Sequence, residues 1–212
     1  MPYEVVTRFE RALCKYTGAR FACAVNSCTA ALLLAVAWHL KNPPYISPYL
    51  SQHNWTDRVG IEIPKRTYVS VPMSIIHAGG RPTFRDEDWI GAYQLQPLPV
   101  WDCARRFTSG MYIAGQFQCV SFAASKILGI EQGGAILHDN ADAQEWFQAM
   151  KFDGRNPGTM PAPDTIIGIG HHCLMTPSVA AQGLLRLHHL PRHNEDLPHF
   201  LYPDLSTFPV FK

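Results

Sequence analysis

Several features that mark common classes of protein are missing from this 212-residue sequence. No apolar run approaches the roughly 20 residues that a membrane-spanning helix needs. The start, MPYEVVTRFE, has acidic residues where a signal peptide has a basic and then an apolar segment. The formal net charge is only +1, which gives no electrostatic reason to expect nucleic acid or an anionic membrane as a partner. We therefore expect a cytoplasmic protein with a small ligand.

Motifs for metal binding are also missing. The six cysteines include no CxxC pair, which argues against a zinc site and against a compact disulfide framework. The ten histidines include no HExxH or similar spacing, so surface or core histidine is favoured over a metal ligand. We therefore expect buried free thiols and no metal.

The composition is that of a globular protein, with 47% hydrophobic and 17% charged residues. Strand-like and helical patterns alternate along the chain. Strands are predicted at 21–25, 59–63, 81–86, 97–102, 117–122 and 133–138, and helices at 5–16, 29–40, 68–78, 140–151 and 176–190. This alternation predicts an α/β fold with helices on both faces of a sheet. Ligands gather at the carboxyl ends of strands in such sheets, where Ser27, Asp102 and Ser121 would lie.

Two proline-rich stretches interrupt this pattern. Three prolines between Lys41 and Thr56 exclude a regular helix or central strand and predict a surface loop. Prolines and aromatics also crowd the segment after Leu190. We interpret residues 191–212 as an extended tail laid over a domain of residues 1–190 or over a partner subunit.

Two short motifs carry polar residues at the ends of predicted strands. NSCTAAL (26–32) places small hydroxyl residues at a strand-to-helix turn, where free backbone N–H groups and the helix dipole favour a phosphate. An ordinary helix cap would use the same residues. In WDCARR (101–106), Asp102 could pair with a protonated heterocyclic nitrogen or could simply cap the following turn.

The most specific pattern is SFAASKILGIEQGGAIL (121–137), with Ser121, then Lys126 five residues on, and a glycine pair that opens an apolar strand. A lone lysine after an apolar stretch is usually a solvated charge. An amine in a confined site, however, can have a depressed pKa and form a Schiff base.

In their order along the chain, these motifs resemble the DegT/DnrJ/StrS family of pyridoxal 5'-phosphate (PLP) dependent sugar aminotransferases, of the aspartate aminotransferase fold type. The likeness runs from FERALCKYTGARFACAVNSCTAAL through IPKRTYVSVPMSIIHAGGRPTFRD and VWDCARRF to SFAASKILGIEQGGAIL and KFDGR. It implies the PLP-binding large domain of that fold, with a mainly parallel sheet, helices on both faces and a small C-terminal domain that is largely absent.

The resemblance implies two catalytic residues. Lys126 would form the Schiff base with PLP and later move the proton between the substrate carbon and the cofactor carbon. Asp102 would keep the pyridine nitrogen protonated, so that the ring withdraws electrons.

The resemblance also implies cofactor contacts. Tyr68 matches the aromatic residue that stacks on the cofactor ring. Cys28, Thr29 and Ser121 match positions that bind the phosphate, Cys28 through its backbone only. Arg105 stands where the family often has a shorter polar residue near the cofactor.

The chain departs from the family at three places. A helix and a strand that the family normally has between Asp86 and Asp102 are missing, which predicts a reduced sheet. The asparagine and arginine of the family's GxNxRM motif appear as His172 and Leu174. The chain also ends near the point where the family's small domain begins, which predicts a more open substrate pocket.

For function, the resemblance implies a homodimeric ping-pong aminotransferase that takes an amino group from glutamate and gives it to a nucleotide-linked keto sugar. Two alternatives stay open. One is a truncated, non-catalytic PLP-binding relative, and the other is a PLP enzyme of another reaction type, such as a dehydratase or lyase.

Overall fold

A computed structural model describes residues 3–41, 58–155, 166–198 and 201–212. The helices are α1 (Glu4–Thr17), α2 (Cys28–Lys41), α3 (Ser70–His77), α4 (Ala141–Met150) and α5 (Pro177–His189). The strands are β1 (Phe21–Val25), β2 (Gly60–Pro64), β3 (Arg81–Arg85), β4 (Tyr93–Leu95), β5 (Val100–Asp102), β6 (Phe117–Ser121) and β7 (Gly134–His138). The predicted helices and six predicted strands are confirmed. Most of the surface loop predicted after Lys41 lies outside the described residues.

The strands form a five-stranded sheet in the order β1-β7-β6-β5-β4 and a parallel pair, β2-β3. Two backbone hydrogen bonds between Glu62 and Gln96 join β2 to the end of β4. All described strands except β4 and β7 therefore run in the same direction. The α/β class is confirmed, but the sheet is mixed rather than mainly parallel in its pairing, because three of the five strand pairs are antiparallel.

Helices cover both faces of the large sheet, as the sequence predicts. Alternate strand residues point to opposite faces. Cys23, Cys119 and Ile136 belong to a core that includes α2 and residues of α3 and α4. Their neighbours Val120 and Leu137 belong to a second core with α1 and α5. The sheet is thus buried on both sides.

Local sequence explains the helices that flank β1. α1 buries the apolar side chains that recur at helical spacing, and it ends at Gly18, whose φ of 85° suits the left-handed cap. α2 buries residues around most of its circumference, because it lies between the sheet and α3 and α4. The turn between β1 and α2 therefore lies between two elements that are fixed by packing.

A buried ion pair ties α1 to β1 and to the end of α4. The Lys151 Nζ lies 2.9 Å from Glu10 Oε1 and 3.1 Å from the carbonyl oxygen of Ala24. The same Glu10 oxygen accepts a hydrogen bond of 2.9 Å from the Ala24 nitrogen. Removing either Glu10 or Lys151 would leave a buried charge unpaired. The two residues together therefore hold α1, β1 and the end of α4 in place.

The strand β4 was missed by the sequence analysis. It lies between β5 and β2, where it runs antiparallel to β5 in a tight hairpin. Its register places Tyr93 opposite Asp102, the last residue of β5. A strand therefore occupies the part of the sheet that the sequence predicted to be reduced.

Candidate functional site

A cavity of about 400 Å³ lies at the carboxyl ends of β1, β5 and β6. These strands share one direction, so their ends meet at one edge of the sheet. All seven residues predicted from the sequence line this cavity, namely Cys28, Thr29, Tyr68, Asp102, Arg105, Ser121 and Lys126. The fold thus brings together motifs that are up to about a hundred residues apart.

One end of the cavity is formed by the start of α2. The Ser27 Oγ accepts a hydrogen bond of 3.1 Å from the Ala30 nitrogen, so the predicted helix cap is present. The hydroxyls of Thr29 and Ser70 lie 2.8 Å apart and connect the first turns of α2 and α3. Because the first N–H groups of a helix have no acceptor within it, this end offers hydroxyl and amide donors suited to an anion.

The Cys28 side chain is not one of these donors. Its thiol lies 3.5 Å from the carbonyl oxygen of Cys119 in β6, and burial raises its pKa well above the usual value. A neutral thiol that is hydrogen-bonded to the sheet leaves only the backbone of Cys28 to meet an anion.

Asp102 is buried at the end of β5 with both carboxylate oxygens hydrogen-bonded. Oδ1 accepts from the Ala104 nitrogen at 2.9 Å, and Oδ2 accepts from the Tyr93 hydroxyl at 2.8 Å. Burial raises the pKa of the carboxyl group, and these two hydrogen bonds, with the cations Lys126 and Arg105, act against the rise. The site therefore holds an acid whose charge depends on its neighbours.

Lys126 lies in the loop that connects β6 to β7. Its backbone nitrogen donates to the carbonyl oxygen of Ala123 at 2.8 Å. Its side chain is half-buried. Burial and the nearby Arg105 lower the pKa of the amine, while Asp102 opposes the fall. A lowered pKa increases the neutral fraction of the amine, which is the form that attacks a carbonyl carbon.

Arg105 is buried between the cavity and the C-terminal segment. Its guanidinium donates to the carbonyl oxygen of Pro198, and its own carbonyl oxygen accepts from the Leu197 nitrogen at 2.9 Å. The next residue, Arg106, forms an ion pair with both carboxylate oxygens of Asp196. Residues 196–198 therefore set the position of Arg105.

Aromatic side chains border the cavity. Tyr68 is 56% exposed, and its ring centroid lies 6.4 Å from that of Tyr202 in the C-terminal segment. Trp89 also lines the cavity, and its ring nitrogen donates to the carbonyl oxygen of Arg66 at 3.0 Å. The partly exposed Tyr68 ring therefore lies at the border of the cavity.

The sequence analysis missed several residues of this lining. These are Asn26, Ser70, Thr67, Trp89, Ser125, Gln132 and Tyr202. Ser125 and Gln132 directly precede the recognised Lys126 and Gly133, so proximity in sequence was a usable signal. For Trp89 and Tyr202 no signal existed, because they reach the cavity only through tertiary packing.

His172 takes no part in the described lining. Its ring nitrogen Nδ1 lies 3.0 Å from a carboxylate oxygen of Asp153, and its side chain is largely exposed. Leu174 forms an isolated bridge with Val25. The departures from the GxNxRM motif thus lie outside the cavity of this chain.

The lining fits PLP in size, charge and donor type. A cavity of about 400 Å³ is in the range of small-molecule sites. A Cβ at Gly134 would lie 2.5 Å from the Cys28 nitrogen, so the glycine lets β7 approach the start of α2 closely enough to close the anion-binding end. The lysine amine and the buried carboxylate are groups of the kind that would meet the aldehyde and the ring nitrogen of PLP.

This fold, with an amine and an acid facing one cavity at the strand ends, is that of the cofactor-binding domain of fold type I PLP enzymes. The chain belongs to the DegT/DnrJ/EryC1/StrS aminotransferase family, whose sequence model matches residues 1–99 and 104–197. PLP is the cofactor of that family. No curated protein sequence matches the chain significantly.

Solved structures, some of them of aminotransferases, share the fold. AtS13 from Actinomadura melliaura is 19% identical and covers 88% of the chain, with a TM-score of 0.72. PseC from Helicobacter pylori, an aminotransferase involved in the biosynthesis of pseudoaminic acid, is 17% identical over 88% of the chain, with a TM-score of 0.68. The sugar aminotransferase CalS13 from Micromonospora echinospora is 16% identical over 87%, with a TM-score of 0.67.

The chain spans only about three fifths of the length of these structures, namely 60%, 58% and 61%. The similarity therefore concerns the domain that holds the cavity. Among the helices that the structure describes, none has the length and apolar character needed to cross a membrane.

Proposed function

We propose that this protein is a PLP-dependent aminotransferase that moves an amino group from glutamate to a nucleotide-linked keto sugar by a ping-pong mechanism. The observation that carries the proposal is the placement of Lys126 and Asp102 in one cavity, with the start of α2 at its border. When bound, PLP supplies an electron sink for the substrate carbon that loses a proton. The protein supplies position, charge and proton transfer.

Each residue has a separate task in this proposal. Lys126 would hold the cofactor aldehyde through its amine and would then move the proton between the substrate carbon and the cofactor carbon. Asp102 would keep a proton on the ring nitrogen, and the first turn of α2, with Thr29 and Ser121, would bind the phosphate. Tyr68 would supply an aromatic surface for the ring, and Arg105 would supply a positive charge.

The proposal also specifies the substrates, a sugar acceptor and an amino donor. Family membership supports a sugar acceptor, and CalS13, which shares the fold, is a sugar aminotransferase. The described cavity residues include the hydroxyl and amide groups of Ser125 and Gln132, which can donate to sugar oxygens. The amino donor, glutamate, rests on the family.

The two half-reactions test the proposal separately. The purified protein is loaded with PLP, and its absorption spectrum is recorded before and after glutamate is added. We expect glutamate to bleach the Schiff-base band and a nucleotide-linked 4-keto-6-deoxy sugar to restore it. The Lys126→Ala protein is the control and should show neither change.

Two outcomes would favour other readings. A stable band that glutamate and the keto sugar both leave unchanged would reject the aminotransferase and favour a non-catalytic PLP-binding relative. Release of ammonia or water from a substrate without amino transfer would favour a dehydratase or lyase.

A homodimer belongs to the same proposal. Tyr68, Val69 and Met73 expose apolar surface along α3 and its start, beside the cavity. A symmetric partner that covers this surface would bury it and border the site.

Light scattering at micromolar concentration should therefore give twice the mass of the chain. Met73→Glu should shift the protein toward monomer, because it places a charge on the proposed interface. Leu185→Glu, an exposed position on α5, is the matched control and should leave the mass unchanged. A parent protein that is monomeric with PLP bound would contradict the dimer.

A further inference from the structure

Tyr93 is the buried partner of the acid in the cavity. It lies on β4 directly opposite Asp102, and only 2% of its surface is exposed. Its hydroxyl lies 2.8 Å from Asp102 Oδ2 and 2.5 Å from the Thr67 hydroxyl, which lines the cavity. Trp89 packs on the ring of Tyr93 at a centroid distance of 4.7 Å.

The direction of these hydrogen bonds follows from their donors. An ionised carboxylate only accepts, so Tyr93 donates its single proton to Asp102. The Thr67 hydroxyl must then donate to the phenol oxygen of Tyr93. Since Ala104 donates to the other carboxylate oxygen, the acid is held by one donor on each oxygen.

This arrangement acts on the charge of Asp102 as well as on its orientation. Burial raises the pKa of the carboxyl group, and the hydrogen bond from Tyr93 is one of the interactions that lower it. A donor that is itself polarised by Thr67 gives a stronger hydrogen bond than an isolated phenol. Without it, the carboxylate would hold a proton more tightly.

We propose that Tyr93 is a positioning residue that keeps the proton of the Asp102–PLP contact on the ring nitrogen of the cofactor, with Thr67 supporting it. This inference rests on the proposed function, because it needs PLP in the cavity. If the hydrogen bond from Tyr93 is lost, Asp102 becomes a stronger base than the ring nitrogen. The proton then moves from the ring nitrogen to the carboxylate. The ring then withdraws electrons less strongly.

The experiment measures the protonation of the ring nitrogen directly. Holoprotein is prepared with PLP carrying ¹⁵N in the ring, and its ¹⁵N chemical shift is compared with that of free PLP at acid and at alkaline pH. We expect the parent to give the shift of a protonated ring. Tyr93→Phe, which keeps the aromatic packing, should move the signal most of the way toward the neutral ring.

Thr67 gives an independent test without any change to the aromatic core. Thr67→Val should move the signal in the same direction by a smaller amount, and Thr67→Ser, which restores the hydroxyl, should return it to the parent value. Tyr112→Phe removes a phenol that donates to the carbonyl of Gln116, away from the cavity lining. It is the matched control and should leave the signal unchanged.

The outcomes separate this inference from the proposed function. A Tyr93→Phe holoprotein with the parent's protonated signal would overturn the role of Tyr93 while leaving PLP binding intact. A parent protein that takes up no labelled PLP would overturn both. If Tyr93→Phe does not fold, as judged by circular dichroism, an unchanged signal in Thr67→Val would overturn the inference.

Discussion

Lys126 and Asp102 show how burial acts on an amine and an acid that share a site. Burial lowers the pKa of the Lys126 amine and raises that of the Asp102 carboxyl group, so both are pushed toward their neutral forms. Each group opposes the change in the other through its charge. The protonation states of Lys126 and Asp102 therefore depend on each other, and a single substitution can shift both.

Asp102→Asn should raise the stability of the folded protein and lower its activity. The raised pKa of Asp102 in the folded state means that its contribution to stability is lost as the pH rises from the unfolded value, about 3.9, through the folded value. The cofactor-free variant should therefore melt a few degrees higher than the parent at neutral pH, with a smaller difference at acid pH. Donor turnover by the variant should fall at least a hundredfold, on the order of general acid–base effects.

Calorimetry across this pH range and stopped-flow spectroscopy with glutamate would check both parts. Glu145→Gln, an exposed substitution on α4, is the control for stability. A variant that turns over glutamate as fast as the parent would remove Asp102 from the mechanism.

Among single residues, the sequence predicted those cavity-lining residues whose motifs are local. Lys126 is recognisable because Ser121 precedes it and a glycine pair follows it, and Asp102 because it ends an apolar run. Tyr93 could not be predicted in the same way. Its importance comes from a hydrogen bond across two strands, and a phenol in a short polar segment carries no pattern of its own.

Among the elements, the contact of β7 with the start of α2 shapes the end of the cavity that the first turn of α2 forms. Gly134 begins β7, and a Cβ there would lie 2.5 Å from the nitrogen of Cys28 and 2.6 Å from the carbonyl carbon of Ser27. Both neighbours are backbone atoms, so neither can rotate out of the way. The strand and the helix would have to separate.

Gly134→Ala should therefore weaken PLP binding and cost about 1–3 kcal/mol of stability, as overpacking does. Gly60→Ala is the matched control, because a Cβ on that strand residue would meet only side-chain atoms at ordinary distances of 3.6 Å and 3.8 Å. Urea denaturation and PLP titration would measure the two effects. A Gly134→Ala protein with parental stability and affinity would show that the close approach is unimportant.

The elements also show where sequence patterns stop being informative. α1 and β6 were predicted because their apolar residues repeat over enough positions to define a period. β4 has only three residues, which is too short for a period, and its conformation depends on pairing with β5. The antiparallel direction of β7 was equally hidden, because strand direction is a property of the sheet.

For the whole molecule, the C-terminal segment is the feature that links distant parts. It contacts the domain through Asp196 at Arg106, through Pro198 at Arg105 and through Asp204 at Lys65. Leu205 is buried, and the ring of Phe211 packs near Phe84 of β3. The division at residue 190 stays a prediction, but these contacts connect the segment to the cavity.

Loss of the ion pair at Arg106 should loosen this connection. Asp196→Asn removes the charge whose two oxygens Arg106 contacts, and a partly exposed pair of this kind contributes about 1 kcal/mol or less. We expect faster proteolytic cleavage near residues 191–198 and a PLP dissociation constant that rises a few-fold, because Arg105 loses support. Equal cleavage rates and affinities in variant and parent would contradict a role of the segment at the site.

The central claim about this protein is that Lys126 holds PLP in the cavity. The test is to incubate the protein with PLP, reduce it with borohydride, digest it and locate the added mass by mass spectrometry. We expect one modified peptide, which contains Lys126, and no such modification in the Lys126→Ala protein. Modification of another lysine in its place, or equal PLP uptake as a Schiff base by Lys126→Ala, would contradict it.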